Sequence, residues 1–325
     1  MKKEENFTDV SEDLKEKIKE TAEKLRERIS KRPKRERIRT IIEENYIGEF
    51  LKADKLSESE LDEIKLKGGI AGVDGSINSI GGVYPYLFYI KRALGLSSEI
   101  RHEEILLSEV DSPLLLDDLM DEEEYKALLK KGLAELEAKA AKEALERFNP
   151  KVLFLDGSLV RFKIEAKDYF EQIKNIALNK NVIVAGIVEG ISTSLISSLI
   201  RELLPSVFKY SADWEILLGI MDMGEYLEVK PGLFKEGFRT FFMRSSIDPK
   251  PIGVDILEEQ KEYAKFVANL VYTLTPENSR GIPLWMDIID KRVKIRDPFM
   301  EMVAKSYLGE DFLEVLTPKR EKRNP

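Results

Sequence analysis

Two Asp-Gly-Ser triplets, at residues 74–76 and 156–158, each close a short apolar run, GGIAGV and KVLFL. An ionised aspartate at the tip of a dry strand is costly unless it has a partner. One Asp-Gly pair is ordinary turn chemistry. Two of them, on the two most apolar strand-like segments of the chain, point to a shared site. A third acid follows from geometry. If a helix over 122–148 packs antiparallel to the strand at 151–156, Asp156 lies about 20 Å from the connecting turn. The helix regains that height roughly 13 residues before its end, near Glu135, Glu137 and Glu143. Glu135 and Glu143 have Lys or Arg four residues away, the mark of a solvent face. Glu137 instead lies among Leu133, Ala134, Ala140 and Ala141, so it is the acid of the buried stripe. A fourth comes from RGIPLWMDIIDKRVKIRD, where Asp290 or Asp287 sits on one helix face, with Asp290 the deeper.

Carboxylates gathered this way repel, by about 4 kcal/mol for two unit charges 4 Å apart at an effective dielectric of 20. Divalent cations between them are the simpler answer, and oxygen-only sites favour magnesium or manganese. Two such ions can clamp the attacking and leaving oxygens of phosphoryl transfer.

The rest of the composition narrows the choice. The 325 residues contain no cysteine and one histidine, which removes disulfides, thiolate metal sites, cysteine nucleophiles and His-rich centres. His102, in EIRHEEIL, reads as part of a surface strand. Lys+Arg number 52 against 60 Asp+Glu, a net charge near −8, with 43% hydrophobic residues. That balance fits a globular chain rather than a disordered one. No apolar run reaches the roughly 18 residues a spanning helix needs, and the N-terminus has no apolar signal core. The expectation is a soluble, cytoplasmic protein without membrane contact. Dense Lys and Glu without Cys also fits heat adaptation.

The elements that would position these acids can be read in order. Residues 9–32 form an exposed amphipathic helix with Leu14, Ile18, Ala22 and Leu25 on one side. KRPKRERIR at 31–39 is either a nucleic-acid contact or a solvated helix start. From Gly68, three strands (GGIAGVDGS, GGVYPYLFYIKRAL and SSEIRHEEILLSEV) are close enough to be antiparallel hairpins. The 122–148 helix ends at Asn149-Pro150. KVLFLDGS and NVIVAGIV read as strands buried on both faces, separated by a helix near 164–179. Beyond them lie a helical stretch at 193–204 and irregular or helical chain over 213–230. Strands at FRTFFMRSS and PIGVDIL come next, then helices over about 257–274 and from Pro283. The fold class is α/β, a mixed sheet flanked by helices. We divide the chain into a helical N-terminal extension (1–67), a main domain (68–310) and a tail (311–325).

GVDGS at 72–76, FLDGSL at 154–159 and RGIPLWMDIIDKRVKI at 280–295 resemble, in order and rough spacing, the three blocks of the NurA nucleases. VIVAGIVEGISTSLIS and FRTFFMRSSIDPKPIGVDI resemble that family's middle strands. The resemblance implies a ribonuclease-H-like core: three antiparallel strands, a helix, then parallel strands. It implies a manganese- or magnesium-dependent DNA nuclease with two ions, held by Asp74, Glu137, Asp156 and Asp290. Such a nuclease cuts single strands internally and ends in the 5′ to 3′ direction. It further implies a homodimer that works with a HerA-type hexameric helicase in double-strand-break resection. Two departures stand out. Glu189 occupies the place of an expected lysine, and Asp290 a place that can hold histidine. Arg161, Lys163 and Arg244 are the candidate DNA-contacting cations.

Two other readings use part of the same pattern. An actin-like or sugar-kinase ATPase also carries two Asp-Gly turns on such a sheet, but the chain is short for two duplicated lobes. It also lacks a Walker-type GxxxxGK[ST] segment. A non-catalytic scaffold would use the acids as turns and caps and the 9–32 helix as its partner surface.

Overall fold

A computed structural model describes residues 11–118 and 120–316. The first two residues of the expected 9–32 helix and residues 317–325 of the tail lie outside the described residues. The N-terminal part runs α1 (Glu12–Ser30), α2 (Arg35–Glu44), β1 (Gly48–Lys52) and α3 (Glu58–Leu66). The three-strand meander follows as β2 (Ile70–Val83), β3 (Tyr86–Ser97) and β4 (Glu104–Asp111). Next come α4 (Glu122–Arg147), β5 (Val152–Asp156), α5 (Leu159–Glu165), α6 (Lys167–Lys180) and β6 (Ile183–Val188). The remainder is α7 (Leu195–Leu199), α8 (Asp213–Leu217), β7 (Glu225–Val229), β8 (Phe238–Met243), β9 (Ile252–Leu257), α9 (Ala264–Leu274), α10 (Leu284–Val293), α11 (Asp297–Val303) and α12 (Glu310–Leu316).

All strands join one nine-stranded sheet in the order β1-β7-β8-β9-β6-β5-β2-β3-β4. The β2–β3 and β3–β4 pairs are antiparallel, while β5 pairs in parallel with both β2 and β6. This is the ribonuclease-H-like order expected from the sequence. Strands β9, β8, β7 and β1 extend it by antiparallel pairing.

The centre of the sheet is covered on both faces. Ile70, Val152 and Phe154 pack with Val267, Met286 and Ile289 of α9 and α10. Ala71, Val73, Leu153 and Leu155 pack on the other face with α4, α5 and α6. Val152 to Leu155 are wholly excluded from solvent, which explains an unbroken apolar run where a half-exposed strand would alternate. Truncating Phe154 to alanine there would cost about 3–5 kcal/mol. α4 begins with a capping box in which Asp121 accepts from the Glu123 and Glu124 amides. Half of its buried residues are alanine (Ala134, Ala138, Ala140, Ala141, Ala144), so the helix rides close to the strands.

Several local expectations change. Asp74 does not end a strand: β2 runs on to Val83 as the long partner of β3. His102 lies in an exposed turn before β4, because the third strand starts only at Glu104. β1 and β7 were missed. At five residues each, GEFLK and EYLEV carry too few apolar positions to show a period of two, and they pair with each other. The basic 31–39 segment does contain a helix start, with Lys31, Lys34 and Arg37 exposed and α2 beginning at Arg35, but three of its arginines face protein. Arg32 donates to the Glu215 carbonyl at 2.8 Å, Arg35 pairs with Asp222 at 2.6 Å, and Arg39 with Glu225 at 2.7 Å. These charges tie α2 to the chain ahead of β7. Phe241 and Phe242 are core residues, 0% and 2% exposed.

Candidate active site

The site is built where the parallel pairing of β2 and β5 stops. Their last paired rung is Val73–Leu155, so Asp74 and Asp156 are the next residues on neighbouring strands. Alternation along each strand places both on the face covered by α10, as Gly72 and Phe154 two residues earlier show by their contacts with Ile289 and its neighbours. Asp74 is 5% exposed, whereas Asp156 is the exposed end of its strand.

Glu137 arrives from the opposite face, on α4, and is 3% exposed. Its approach explains the glycine of the first triplet. A Cβ on Gly75 would lie 2.2 Å from Glu137 Oε1 and 2.7 Å from its Cγ. The second glycine has a different reason. Gly157 has φ +91°, a left-handed conformation, and its amide donates to the Ile187 carbonyl at 2.7 Å. That turn drives the chain from β5 into α5, where Ser158 caps the helix by accepting from Val160 at 3.2 Å.

Asp290 lies on α10 and its charge raises both Asp74 and Asp156. Asp287 and Asp290 both pair with Arg280, at 2.7 and 3.2 Å, and Asp287 is the less exposed side chain, 14% against 44%, contrary to the expectation that Asp290 is the deeper. Asp290 enters the cluster through its charge on Asp74 and Asp156.

The electrostatics are those of uncompensated negative charge. Burial, then the charges of Asp156 and Glu137, push Asp74 up to about 8. Burial pushes Glu137 up to about 7, against the pull of Arg161. Asp156 is raised as well, first by crowding from protein and against the pull of Arg161, and a hydrogen bond from Asp74 partly offsets the rise. Asp74 is the more buried of that pair, so the shared proton belongs to it.

Two arginines stand at the rim. Arg161 on α5 pairs with Glu137 and also donates to the Asp156 carbonyl at 3.3 Å. Arg280 pairs with Glu189 at 2.8 Å, Asp287 at 2.7 Å and Asp290 at 3.2 Å. Its loop is pinned by Ser246, whose hydroxyl donates to the Ser279 carbonyl at 2.9 Å, and by Ser245, which donates to the Gly281 carbonyl. Arg280 thus supplies the cation beside Glu189. Sequence reasoning passed over it because Gly281 and Pro283 break any helical relation to Asp287 and Asp290.

The other candidate cations are placed differently. Lys163 donates to the Glu236 carbonyl at 3.1 Å. Arg244 spends its donors on the carbonyls of Asp248, Met221 and Ile247, at 3.2, 3.1 and 2.9 Å. It braces a connection and does not reach the carboxylates.

The donor chemistry fits a hard divalent ion. All donors are oxygens, and their protons are held by mutual repulsion and burial, which a cation would relieve. As the side chains stand, no group of three His, Asp or Glu among the described residues is arranged to hold a metal. Arg161 engages Glu137 and Arg280 engages Asp290 instead, so ion binding would require those pairs to loosen.

A NurA domain model matches residues 68–295. No curated protein matches the chain. Among solved structures, the NurA nuclease from Sulfolobus solfataricus superposes with a TM-score of 0.53, at 11% identity over 93% of this chain and 95% of that one. A NurA structure bound to dAMP and manganese gives a TM-score of 0.49, at 11% identity over 93% and 98% of the two chains. Endonuclease V from Bacillus subtilis gives 0.38, at 12% identity over 85% and 91%. At such identities the structural likeness speaks to the fold alone. The domain match covers more than half of the sequence and coincides with the segment that carries all four clustered acids, and the chain belongs to the NurA family.

Proposed function

We propose that the protein is a manganese- or magnesium-dependent DNA nuclease that hydrolyses phosphodiesters at the Asp74–Glu137–Asp156–Asp290 cluster. The observation that carries this reading is the convergence of those acids from β2, α4, β5 and α10, with Asp74 raised to about 8 by burial first and then by the charges of Asp156 and Glu137. Family membership supports a nuclease.

Bound divalent ions, two in number, supply Lewis acidity toward the phosphate and a water more acidic than bulk. The chain's own groups do the rest. Asp74 and Asp156 would hold the ions, with Glu137 and Asp290 completing the oxygen set from α4 and α10. Arg161 and Arg280, released from Glu137 and Asp290, are placed to meet phosphate oxygens; Lys163 stands further out on α5. In-line attack of water on phosphorus, with the P–O3′ bond breaking, would leave a 5′ phosphate and a 3′ hydroxyl.

The finer family properties belong to the same proposal. They are internal cutting of single strands, 5′ to 3′ action on ends, resection of double-strand breaks with a HerA-type hexameric helicase, and a homodimer in the cytoplasm. No helix among the described residues is long and apolar enough to cross a membrane. The start of the domain match at residue 68 supports reading 1–67 as an N-terminal addition to the nuclease domain (68–310), an addition that is not purely helical because its β1 joins the same sheet through β7; 311–325 is read as a tail.

The test is cleavage of labelled single-stranded and blunt duplex DNA with and without manganese, for wild type, Asp74→Asn and Asp156→Asn. Manganese-dependent cleavage should fall by at least about 100-fold in either variant, with folding intact. Cleavage retained in both would refute the site.

A further inference from the structure

Beside the carboxylates, at the same end of β5 and β6, lies a cleft of about 450 Å3 that the phosphate chemistry does not use. Its size is that of a small-ligand site. Ile164, Val188, Ile191 and Phe234 make it largely apolar, and Arg161 is common to the cleft and the carboxylate cluster.

Phe234 is fixed in place. It meets Phe242 edge-on, with ring centroids 5.5 Å apart and planes at 84°. The next residue, Lys235, is anchored on wholly buried Asp255 at 2.7 Å. Ser192 and Thr193 line the cleft as well, beside Arg161.

We propose that this cleft takes one unstacked nucleobase of the strand being cut, with Phe234 as its stacking surface. The proposal rests on the nuclease reading and names the part of the substrate the site recognises; the cleft's continuity with the carboxylates through Arg161 is what brings that strand to it. Every base has a π face, so the cleft selects unpaired nucleotides without selecting sequence.

A base–aromatic contact is worth about 1–3 kcal/mol, or roughly 5- to 150-fold in affinity. The experiment measures binding of short labelled single strands, with calcium in place of manganese, carrying an abasic site at each position in turn. Phe234→Ala should weaken binding of the intact strand within that range. At one position the abasic site should weaken wild type equally and cost Phe234→Ala nothing more. Gly190→Leu is the second variant. Gly190 borders the cleft, and a Cβ there meets nothing within 4 Å, so a larger side chain can be added at the cleft's edge without straining the fold. It should reproduce the loss. Abasic and protein losses that add in full at every position, or variants that bind as wild type does, would overturn the proposal. Hydrolysis of bis(p-nitrophenyl) phosphate by wild type reads the carboxylate centre separately, so failure of the nuclease reading and failure of the cleft assignment give different results.

Discussion

Asp74 and Asp156 stand on adjacent parallel strands, one residue beyond the Val73–Leu155 rung, on the face of the sheet that α10 covers. The backbone register, rather than side-chain packing, sets their separation. Two carboxylates in that position cannot both ionise cheaply without a cation, and Asp74 is the one that keeps a proton.

This has a consequence for stability. Asp74 sits at about 8 in the folded chain, against about 3.9 when unfolded. Between those values the folded form binds the extra proton. The stabilisation is therefore complete below about pH 4 and declines as pH rises toward 8, by at most about 1.4 kcal/mol per unit. Thermal melts in EDTA should show metal-free wild type losing stability from pH 5 to 9. Asp74→Asn, neutral throughout, should melt higher at pH 8–9, and the gap should close near pH 5. Manganese at pH 8 should raise the wild-type melting temperature far more than that of the variant. A gap independent of pH would argue against the raised value.

Gly75 gives a second prediction. Its missing Cβ makes room for Glu137, whose Oε1 and Cγ would lie 2.2 and 2.7 Å from an added methyl. Glu137 is buried and cannot swing to solvent, so Gly75→Ala must push it off Arg161 and out of the cluster. Cleavage should fall at least tenfold, with a loss of about 1–3 kcal/mol in stability from overpacking. Gly95→Ala is the control, since its new methyl would meet Ile105 Cβ at 3.4 Å and Val73 Cγ2 at 3.5 Å. Equal behaviour of the two variants would remove the steric explanation.

What could be read ahead of the structure follows from where the physical signal lies. Asp74 and Asp156 were legible because strands buried on both faces leave unbroken apolar runs, against which an acid stands out. Glu137 was legible because α4 has one helical period over 26 residues, so a single acid among alanines breaks the pattern. The pairing of Arg280 with both Asp287 and Asp290 depends on a loop held by Ser245 and Ser246. Nothing in sequence spacing encodes such a contact. β1 and β7 were hidden because strands of five residues at one side of a large sheet borrow their order from pairing. Arg35 and Arg39 of the basic run at 31–39 pair with Asp222 and Glu225, nearly two hundred residues away, while Lys34 and Arg37 stay exposed; spacing alone does not separate the two kinds.

Arg280 divides its charge among Glu189, Asp287 and Asp290. Removing it leaves those acids more attractive to cations and less well placed. Arg280→Ala should therefore lower the manganese concentration needed for half-maximal cleavage while also lowering kcat. The shift should shrink at high salt, because Arg280 is partly exposed and screening weakens its reach. Titration of activity against manganese at two ionic strengths checks both directions. An unchanged manganese requirement would show that the arginine only braces the start of α10.

Asp255 supports the site from beneath without touching it. The carboxylate is 0% exposed and accepts from Ser158 Oγ, Lys235 Nζ and Thr240 Oγ1, each at 2.7 Å, and from the Leu159 amide at 3.2 Å. These bonds hold the second Asp-Gly-Ser turn on β9 and so orient Asp156. Asp255→Ala would strand Lys235 beside a cavity, and breaking a buried pair on one side costs about 3–5 kcal/mol. Replacing both partners with apolar residues, as in Asp255→Leu with Lys235→Met, removes the stranded charge and should recover part of that loss. It should not recover cleavage, because Ser158 and the Leu159 amide would still lack their acceptor. Chemical denaturation and cleavage assays on the single and double variants separate the two effects. If the double variant regains activity together with stability, Asp255 serves the core alone and the turn at Ser158 holds itself.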